Sequence, residues 1–176
     1  AGLNSDHVKA LTTDEVGALT TAQIAAINSD QLDGLTTAGV VALTTAQVAA
    51  LKSDQVVSLN TDQLRAIETG DIKSLSTVAL RALDTDQVNA LTSNQMQSLT
   101  SAQISSLTSA PQVSALSTGN LNVLTTDQLS KFTTAQVKAL TTEQIANLTT
   151  GNLNALGTAQ FAALNSDQVA ALTTAQ

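Results

Sequence analysis

Large apolar residues recur every eight residues along this chain. They run from Leu3 to Leu107 and, after one extra residue, from Leu116 to Leu172. We call this leucine position 1 of an octad, count octads from Leu3, and read the consensus as L-T-T-(A/D)-Q-V-x-A. Position 6 is also apolar, from Val8 to Val169, position 8 is mostly small and position 7 varies freely. Positions 1 and 6 therefore face the core, position 8 allows close approach, and position 7 faces solvent.

Spacings of five and three residues fit neither one continuous helix nor an alternating strand. The polar positions favour helix. Position 2 holds a residue preferred at helix N-caps in every octad except at Lys52 and Glu68, and position 5, three residues later, is usually Gln. This is a capping box, and the apolar positions 1 and 6 flank it as a hydrophobic staple. Each octad therefore carries its own helix-start signal.

The charged residues agree with this helix polarity. Acids in the first helical turn and bases near its end both stabilise the helix dipole. Nine of the 14 acids lie at position 4, namely Asp6, Asp14, Asp30, Asp54, Asp62, Asp86, Asp127, Glu143 and Asp167. Five of the seven bases lie at position 7, namely Lys9, Arg65, Lys73, Arg81 and Lys138. Asp6 with Lys9 and Asp62 with Arg65 are possible i,i+3 ion pairs.

The pattern predicts an all-α solenoid, a superhelix of about 22 short helices of roughly six residues, one per octad, with a β-solenoid as the alternative. Residues 1–176 form a single solenoid in this interpretation, stabilised by contacts between neighbouring repeats because such short helices are marginal alone. The pattern does not determine how many octads make one turn. The hydroxyl at position 3, always Ser or Thr, is expected to bond a free carbonyl of the preceding helix.

The repeat changes phase by one residue at 108–113, where nine residues separate Leu107 from Leu116. We expect Ser109 and Gln112 to rebuild the capping box one residue later, with Pro111 tolerated in the first helical turn. The pairs Gly70-Asp71, Gly119-Asn120 and Gly151-Asn152 replace the usual residues at positions 4 and 5 and weaken the box locally.

Composition narrows the possible functions. Aromatic residues make up 1% of the chain, so its core must consist of small aliphatic groups, and the net charge is −7 with only seven bases. Binding of nucleic acid or an anionic membrane needs a basic patch, which this sequence lacks. No apolar run is long enough to span a membrane, and no signal peptide is visible. The chain starts and stops within a repeat, which we interpret as part of a longer array or fibre.

No set of residues suggests chemistry, so we predict that the chain is not an enzyme and has no catalytic, cofactor-binding or metal-binding residues. His7 is the only histidine and is expected to be a surface variant of the position 5 Gln. There is no Cys, and no base or acid can be assigned to activate a Ser or Thr. The position 4 acids lack the spacing of calcium loops. Asn147-Leu148-Thr149 matches a glycosylation sequon, but Leu148 is a core position.

Stretches such as Leu43-Thr-Thr-Ala-Gln-Val-Ala-Ala-Leu51 and Leu164-Asn-Ser-Asp-Gln-Val-Ala-Ala-Leu172 resemble the L-T-x-A-Q repeats of very large secreted or surface-exposed bacterial proteins. Those proteins are often labelled haem-utilisation or adhesion proteins. The resemblance covers essentially the whole chain and implies an extracellular or cell-surface fibrous or adhesive region. It implies no functional residues, and the haem label receives no support from a chain whose few possible ligands include one His and Met96.

We therefore predict a structural protein: an extracellular filament subunit, or a rod-like spacer of a bacterial surface adhesin. Head-to-tail assembly of copies is one option within this prediction. Its expected partners are copies of itself or adjoining repeats of the same protein, with no nucleic acid and no membrane insertion. Two alternatives remain. Regularly spaced Thr pairs could line an ice-binding face, which suits a β-solenoid better, or the solenoid could be a scaffold that binds a protein along its length.

Overall fold

The computed structural model describes residues 4–176, and within them every regular element is helical. The α-helices, in chain order, are α1 Ser5–Lys9, α2 Thr13–Ala18, α3 Thr21–Ala26, α4 Ser29–Asp33, α5 Thr37–Val41, α6 Thr45–Ala50, α7 Ser53–Ser58, α8 Thr61–Ala66, α9 Thr77–Ala82, α10 Thr85–Ala90, α11 Ser93–Ser98, α12 Ser101–Ser106, α13 Thr118–Asn122, α14 Thr126–Ser130, α15 Thr134–Ala139, α16 Thr142–Asn147, α17 Thr150–Asn154, α18 Thr158–Phe161 and α19 Ser166–Ala170. A 3-10 helix, Ile72–Ser74, and an irregular helical segment, Ser109–Val113, occupy octads 9 and 14. The predicted helical repeat is confirmed, and the β-solenoid alternative is wrong for the residues described.

Most of the α-helices, each of five or six residues, form because the capping boxes form as predicted. In α3, for example, the Thr20 hydroxyl accepts from the backbone N–H of Gln23 at 3.2 Å, and the Gln23 side-chain oxygen accepts from the backbone N–H of Thr20 at 2.8 Å. In the six-residue helices the position 1 residue is the C-cap and returns to extended backbone, as Ile27 does, and the next N-cap follows directly. In the octads that form a box, the box thus restarts the helix before it can lengthen.

The core consists of the two predicted apolar positions. Position 6 side chains from Val8 to Leu153 are at most 3% exposed, and position 1 side chains from Ile27 to Leu156 at most 6%. Position 6 departs from the prediction at Phe161 and Val169, which are 38% and 52% exposed. No later helix packs over these two residues within the described chain, so their side chains face outward.

The chain divides after Leu91 into two compact units. Within each unit, a helix packs against the helix three octads later: α2 contacts α5 and α3 contacts α6 in the first, and α13 contacts α16 in the second. Hydrogen bonds between these neighbours span 28 and 31 residues, so the number of octads in a turn, which the sequence did not determine, lies between three and four. The prediction of one solenoid over 1–176 concerns the relation between the units and stays a prediction.

The extra residue near Pro111 is absorbed inside the first helical turn. Thr108, rather than the predicted Ser109, is the N-cap, and its hydroxyl accepts from the backbone N–H of Gln112 at 3.4 Å. The Gln112 side-chain oxygen returns the bond to the backbone N–H of Thr108 at 2.8 Å. The expectation of a Ser109 cap was wrong because the box stretches to four residues, while Ala110 takes the non-helical conformation that the added residue requires.

Candidate functional site

The feature that most distinguishes this chain is a row of buried glutamine side chains at position 5. Gln47, Gln55, Gln136 and Gln144 are all at most 3% exposed, although glutamine usually lies at the surface. Their side-chain oxygens close the capping boxes, so the amide nitrogens remain available for other partners. We call this row the glutamine ladder.

Each ladder nitrogen donates to backbone carbonyls of the previous superhelical turn. Gln55 Nε2 lies 2.7 Å from both Ile24 O and Ile27 O, which are 31 and 28 residues earlier. The same bonds recur in both units at Gln47, Gln144, Gln168 and Gln176. The accepting carbonyls belong to positions 6 and 1, at the end of a short helix. The position 6 carbonyl also accepts a backbone N–H, as Ile24 O does from Ile27 at 3.2 Å, whereas no backbone N–H of the described residues donates to Ile27 O at position 1. One side chain therefore starts its own helix and completes the end of an earlier one.

The ladder is maintained across the phase break. Gln136 Nε2 bonds Ile104 O at 2.9 Å and Leu107 O at 2.8 Å, now 32 and 29 residues earlier because the extra residue lies between them. Gln144 returns to separations of 31 and 28 residues. The bulge thus leaves the pairing of octads unchanged.

In several octads the position 5 residue does not make the two ladder hydrogen bonds. Asn152 is one methylene too short and reaches Leu121 O and Asn122 O at 3.3 and 3.2 Å, rather than a position 1 carbonyl. Gly39 and Ala79 have no side-chain amide. The Gly-Asn octads form only half of the box, as predicted: Thr149 accepts from the Asn152 backbone N–H, but the Thr149 N–H goes to Asn122 Oδ1 instead.

Position 3 hydroxyls contribute differently from the expectation. Thr150 Oγ1 donates to Ala175 O at 3.2 Å and Ser29 Oγ to Asp54 O at 3.4 Å, each three octads later in the chain. The expected bond to the preceding helix was wrong for these residues, because their hydroxyls donate instead to the octad three octads later.

The predicted surface charges are exposed along the helices. The nine position 4 acids all face solvent in first turns, and Arg65 lies 3.8 Å from Asp62. Both members of that pair are more than half exposed, so it contributes little to stability. No Asp6–Lys9 contact within salt-bridge distance is found among residues 4–176.

The residues considered in the sequence analysis as candidates for chemistry do not lie together in the structure. His7 is exposed and closes a capping box with Asn4, as its surface assignment predicted, whereas Met96 is buried in the core. Asn147 is exposed, but its side chain donates to Glu143 O and Leu148 is buried beside it. Within residues 4–176 no three His, Cys, Asp or Glu side chains come together as a metal centre.

The capping box of octad 2 perturbs the pKa of an acidic residue. Glu15 takes the glutamine position in octad 2. The backbone N–H of Thr12 and, less strongly, the Thr12 hydroxyl both donate to its carboxylate at 2.9 Å and lower the pKa of Glu15 from its usual value. The carboxylate is fully exposed and acts as a box acceptor, with no reactive neighbour.

Two shallow clefts lie between successive turns. One, of about 410 Å³, includes Lys9, Asp33, Asn60 and Asp62 in its lining, and the other, of about 340 Å³, lies between Ser114 and Glu143. Both are open to solvent and are lined by ordinary repeat positions. No helix in the described part of the chain has the length and apolarity that crossing a membrane requires.

Comparison with known proteins identifies the repeat itself. A family model described as the ALTTAQ repeat matches residues 1–27, 24–61, 64–101, 113–150 and 145–176. These matches cover most of the chain and leave out the segment that contains the extra residue. No curated protein matches the chain.

Proposed function

The chain belongs to the ALTTAQ repeat family, and from that premise we propose that it is a structural protein, a spacer or filament-forming region of an extracellular or cell-surface protein. The observation that carries the proposal is the glutamine ladder. Where position 5 is glutamine, as at Gln55 and Gln168, its bonds join an octad to the octads three and four earlier, with the same geometry in both units. Such a rule allows octads to be added without redesign of the ones before them.

The surface supports the same proposal. The variable position 7 and the acids of position 4 face solvent, so the sequence can drift there without disturbing the ladder. An acidic, evenly charged surface favours solubility of a long array. The resemblance to repeats of very large bacterial surface proteins supports an extracellular location and an adhesin as the parent molecule.

Head-to-tail association of copies is part of this proposal. Phe161 and Val169 expose core-position side chains at the last turn, and position 6 and position 1 carbonyls there correspond to those that bind glutamine nitrogens elsewhere. Adjoining repeats of a longer chain would cover the same surface. Sedimentation of the chain over a hundredfold range of concentration tests whether copies associate. Association of copies makes the sedimentation coefficient depend on concentration, whereas coverage by adjoining repeats of a longer chain does not.

The proposed spacer role is tested by changing the number of octads. Chains with eight octads added, or eight removed, should change their radius of gyration in solution nearly in proportion to the number of octads. A compact globular protein would change only with about the 0.4 power of its length. That weaker dependence would contradict a spacer.

Ice binding requires free, regularly spaced hydroxyls. Many position 2 hydroxyls are already engaged in the boxes, where Thr44 Oγ1, for example, accepts from the Gln47 backbone N–H and lies 3.1 Å from the Gln47 side-chain oxygen. This use of the hydroxyls argues against an ice-binding face. A thermal hysteresis measurement at millimolar protein concentration tests the alternative directly.

A further inference from the structure

The glutamine ladder is replaced by a carboxylate in octad 9. Asp71 occupies position 5 there and is 8% exposed, so a charged side chain lies where other octads bury a neutral amide. The octad forms only the 3-10 helix Ile72–Ser74, with no side-chain cap. The Asp71 carboxylate accepts a hydrogen bond from the hydroxyl of Thr45, which lies on α6, and α6 packs against this 3-10 helix.

The register of the ladder identifies what Asp71 faces. The carbonyls 31 and 28 residues earlier belong to Val40 and Leu43, which are 1% and 4% exposed. In regular octads the equivalent pair, such as Ile24 O and Ile27 O, accepts two bonds from one glutamine nitrogen. The backbone N–H of Leu43 donates to Val40 O at 3.1 Å, and position 5 of octad 9 supplies neither Val40 O nor Leu43 O with the second, side-chain donor that a ladder glutamine provides. A carboxylate cannot donate, so the ladder register places the Asp71 acceptor oxygens where regular octads have an amide donor.

We propose that octad 9 binds a hard cation, Ca²⁺, between the Asp71 carboxylate, the Thr45 hydroxyl oxygen and the backbone carbonyls of Val40 and Leu43. Ca²⁺ takes carboxylate, carbonyl and water oxygens at 2.3–2.6 Å. Aspartate is one methylene shorter than glutamine, which leaves space for an ion where the amide nitrogen would lie. The Thr45 hydroxyl proton points to the carboxylate, so its oxygen lone pairs remain available to the ion.

The next octad supplies a matched control. Ala79 also lacks an amide, and the corresponding carbonyls belong to Val48 and Leu51, both at most 4% exposed. No charge accompanies these carbonyls, so octad 10 presents a missing ladder bond without a cation ligand. A variant at Ala79 therefore separates the effect of a missing bond from the effect of the carboxylate.

The experiment follows thermal unfolding by circular dichroism at 222 nm after treatment with a chelator, with CaCl₂ or MgCl₂ added at matched ionic strength. The wild-type midpoint should rise by about 3 °C when Ca²⁺ exceeds its dissociation constant tenfold. Mg²⁺ should do less, because it dehydrates reluctantly and demands octahedral geometry. Titration calorimetry should give one Ca²⁺ site per chain.

Three variants assign the site. Asp71→Asn keeps the size of the side chain and should abolish the Ca²⁺ response. Asp71→Gln should abolish it as well and raise the midpoint in chelator, since it restores a ladder bond. Ala79→Gln should keep the full response. An equal Ca²⁺ effect in wild type and Asp71→Asn, or an equal effect of Mg²⁺, would assign the response to surface acids and overturn the proposal, as would the absence of any response in wild type.

Discussion

The side-chain nitrogen of Gln144 donates to the backbone carbonyl of Leu116 at 2.7 Å, across 28 residues of chain. The oxygen of the same amide accepts from the Thr141 backbone N–H at 2.8 Å and thereby starts helix α16. Helix initiation and superhelical stacking thus depend on one planar group. Neither bond can shift without moving the other, so the repeat behaves as a single structural unit.

Replacing Gln144 with Ala should lower the free energy of unfolding by about 2–4 kcal/mol, because the buried carbonyl of Leu116 loses its donor, that of Val113 keeps only the Leu116 N–H, and the box loses its return bond. Urea unfolding followed at 222 nm measures the change. The matched control is Gln23→Ala. Gln23 is exposed and makes the box alone, so that variant should lose only about 1 kcal/mol. Equal losses in the two variants would show that the long-range bonds contribute nothing.

Removing one cap should destabilise one helix locally. Thr100→Ala deletes the hydroxyl that accepts from the Gln103 backbone N–H at 3.2 Å and should cost about 1 kcal/mol. Ser101→Ala, one position later, is the control because the cap geometry is retained. Hydrogen exchange should become faster at amides of α12 in the first variant and stay unchanged in the second. A larger effect at position 101 would mean that position 3 is the true cap.

The phase break should be removable. Deleting Ala110 leaves Thr108 and Gln112 at the usual box spacing and restores separations of 28 and 31 residues across the segment. We expect the free energy of unfolding, measured with urea, to stay within about 0.5 kcal/mol of the wild-type value or to rise. Deleting Ala46 from the regular octad of α6 is the control and should destabilise strongly, since it breaks the box that Gln47 closes. Comparable losses from both deletions would refute the view that the bulge is an isolated insertion.

Gly34 and Gly70 differ in whether the surrounding structure has room for a side chain. A Cβ at Gly34 would lie 2.8 Å from the Ser5 carbonyl oxygen of the turn below, whereas a Cβ at Gly70 meets nothing within 4 Å. Neither residue has positive φ. Gly34→Ala should therefore destabilise by about 1–3 kcal/mol through overpacking, while Gly70→Ala should be neutral or stabilise by up to about 1 kcal/mol. Thermal unfolding of the two variants in parallel decides this, and a stabilised Gly34→Ala would contradict the close approach.

The sequence predicted the helices but not how they stack. Local signals were sufficient for the box, since Thr20 and Gln23 are three residues apart and their chemistry is visible in the consensus. The bond from Gln55 to Ile24 is not visible, because periodicity alone does not say which octads meet across a turn. One signal was available: Glu would serve the box as well as Gln, yet Glu15 is the only Glu at position 5. The preference for an amide indicates a second, donating role that the box does not need.

The contrast between local and long-range signals also explains why the site at octad 9 could not be predicted from the sequence. Asp71 resembles a conservative variant in the repeat, and the carbonyls of Val40 and Leu43 have no sequence signature at all. Only the register of the folded ladder brings them to one place. The exposure of Phe161 and Val169 was likewise not predictable, since it depends on which helices lie above them rather than on the apolar pattern.

Glu15 provides the pH-dependent prediction. Hydrogen bonds from Thr12 lower its pKa in the folded chain, so the carboxylate is stabilised by folding and its contribution is present above the unfolded pKa. That contribution is lost as the pH falls through the folded pKa, which lies on the acid side of the usual glutamate pKa. The nuclear magnetic resonance shifts of the Glu15 side chain and of the Thr12 amide should titrate together in that range, with α2 fraying at its start. Glu15→Gln keeps the acceptor without the charge and should remove the Thr12 titration, whereas a Thr12 titration that persists in this variant would assign the effect to another group.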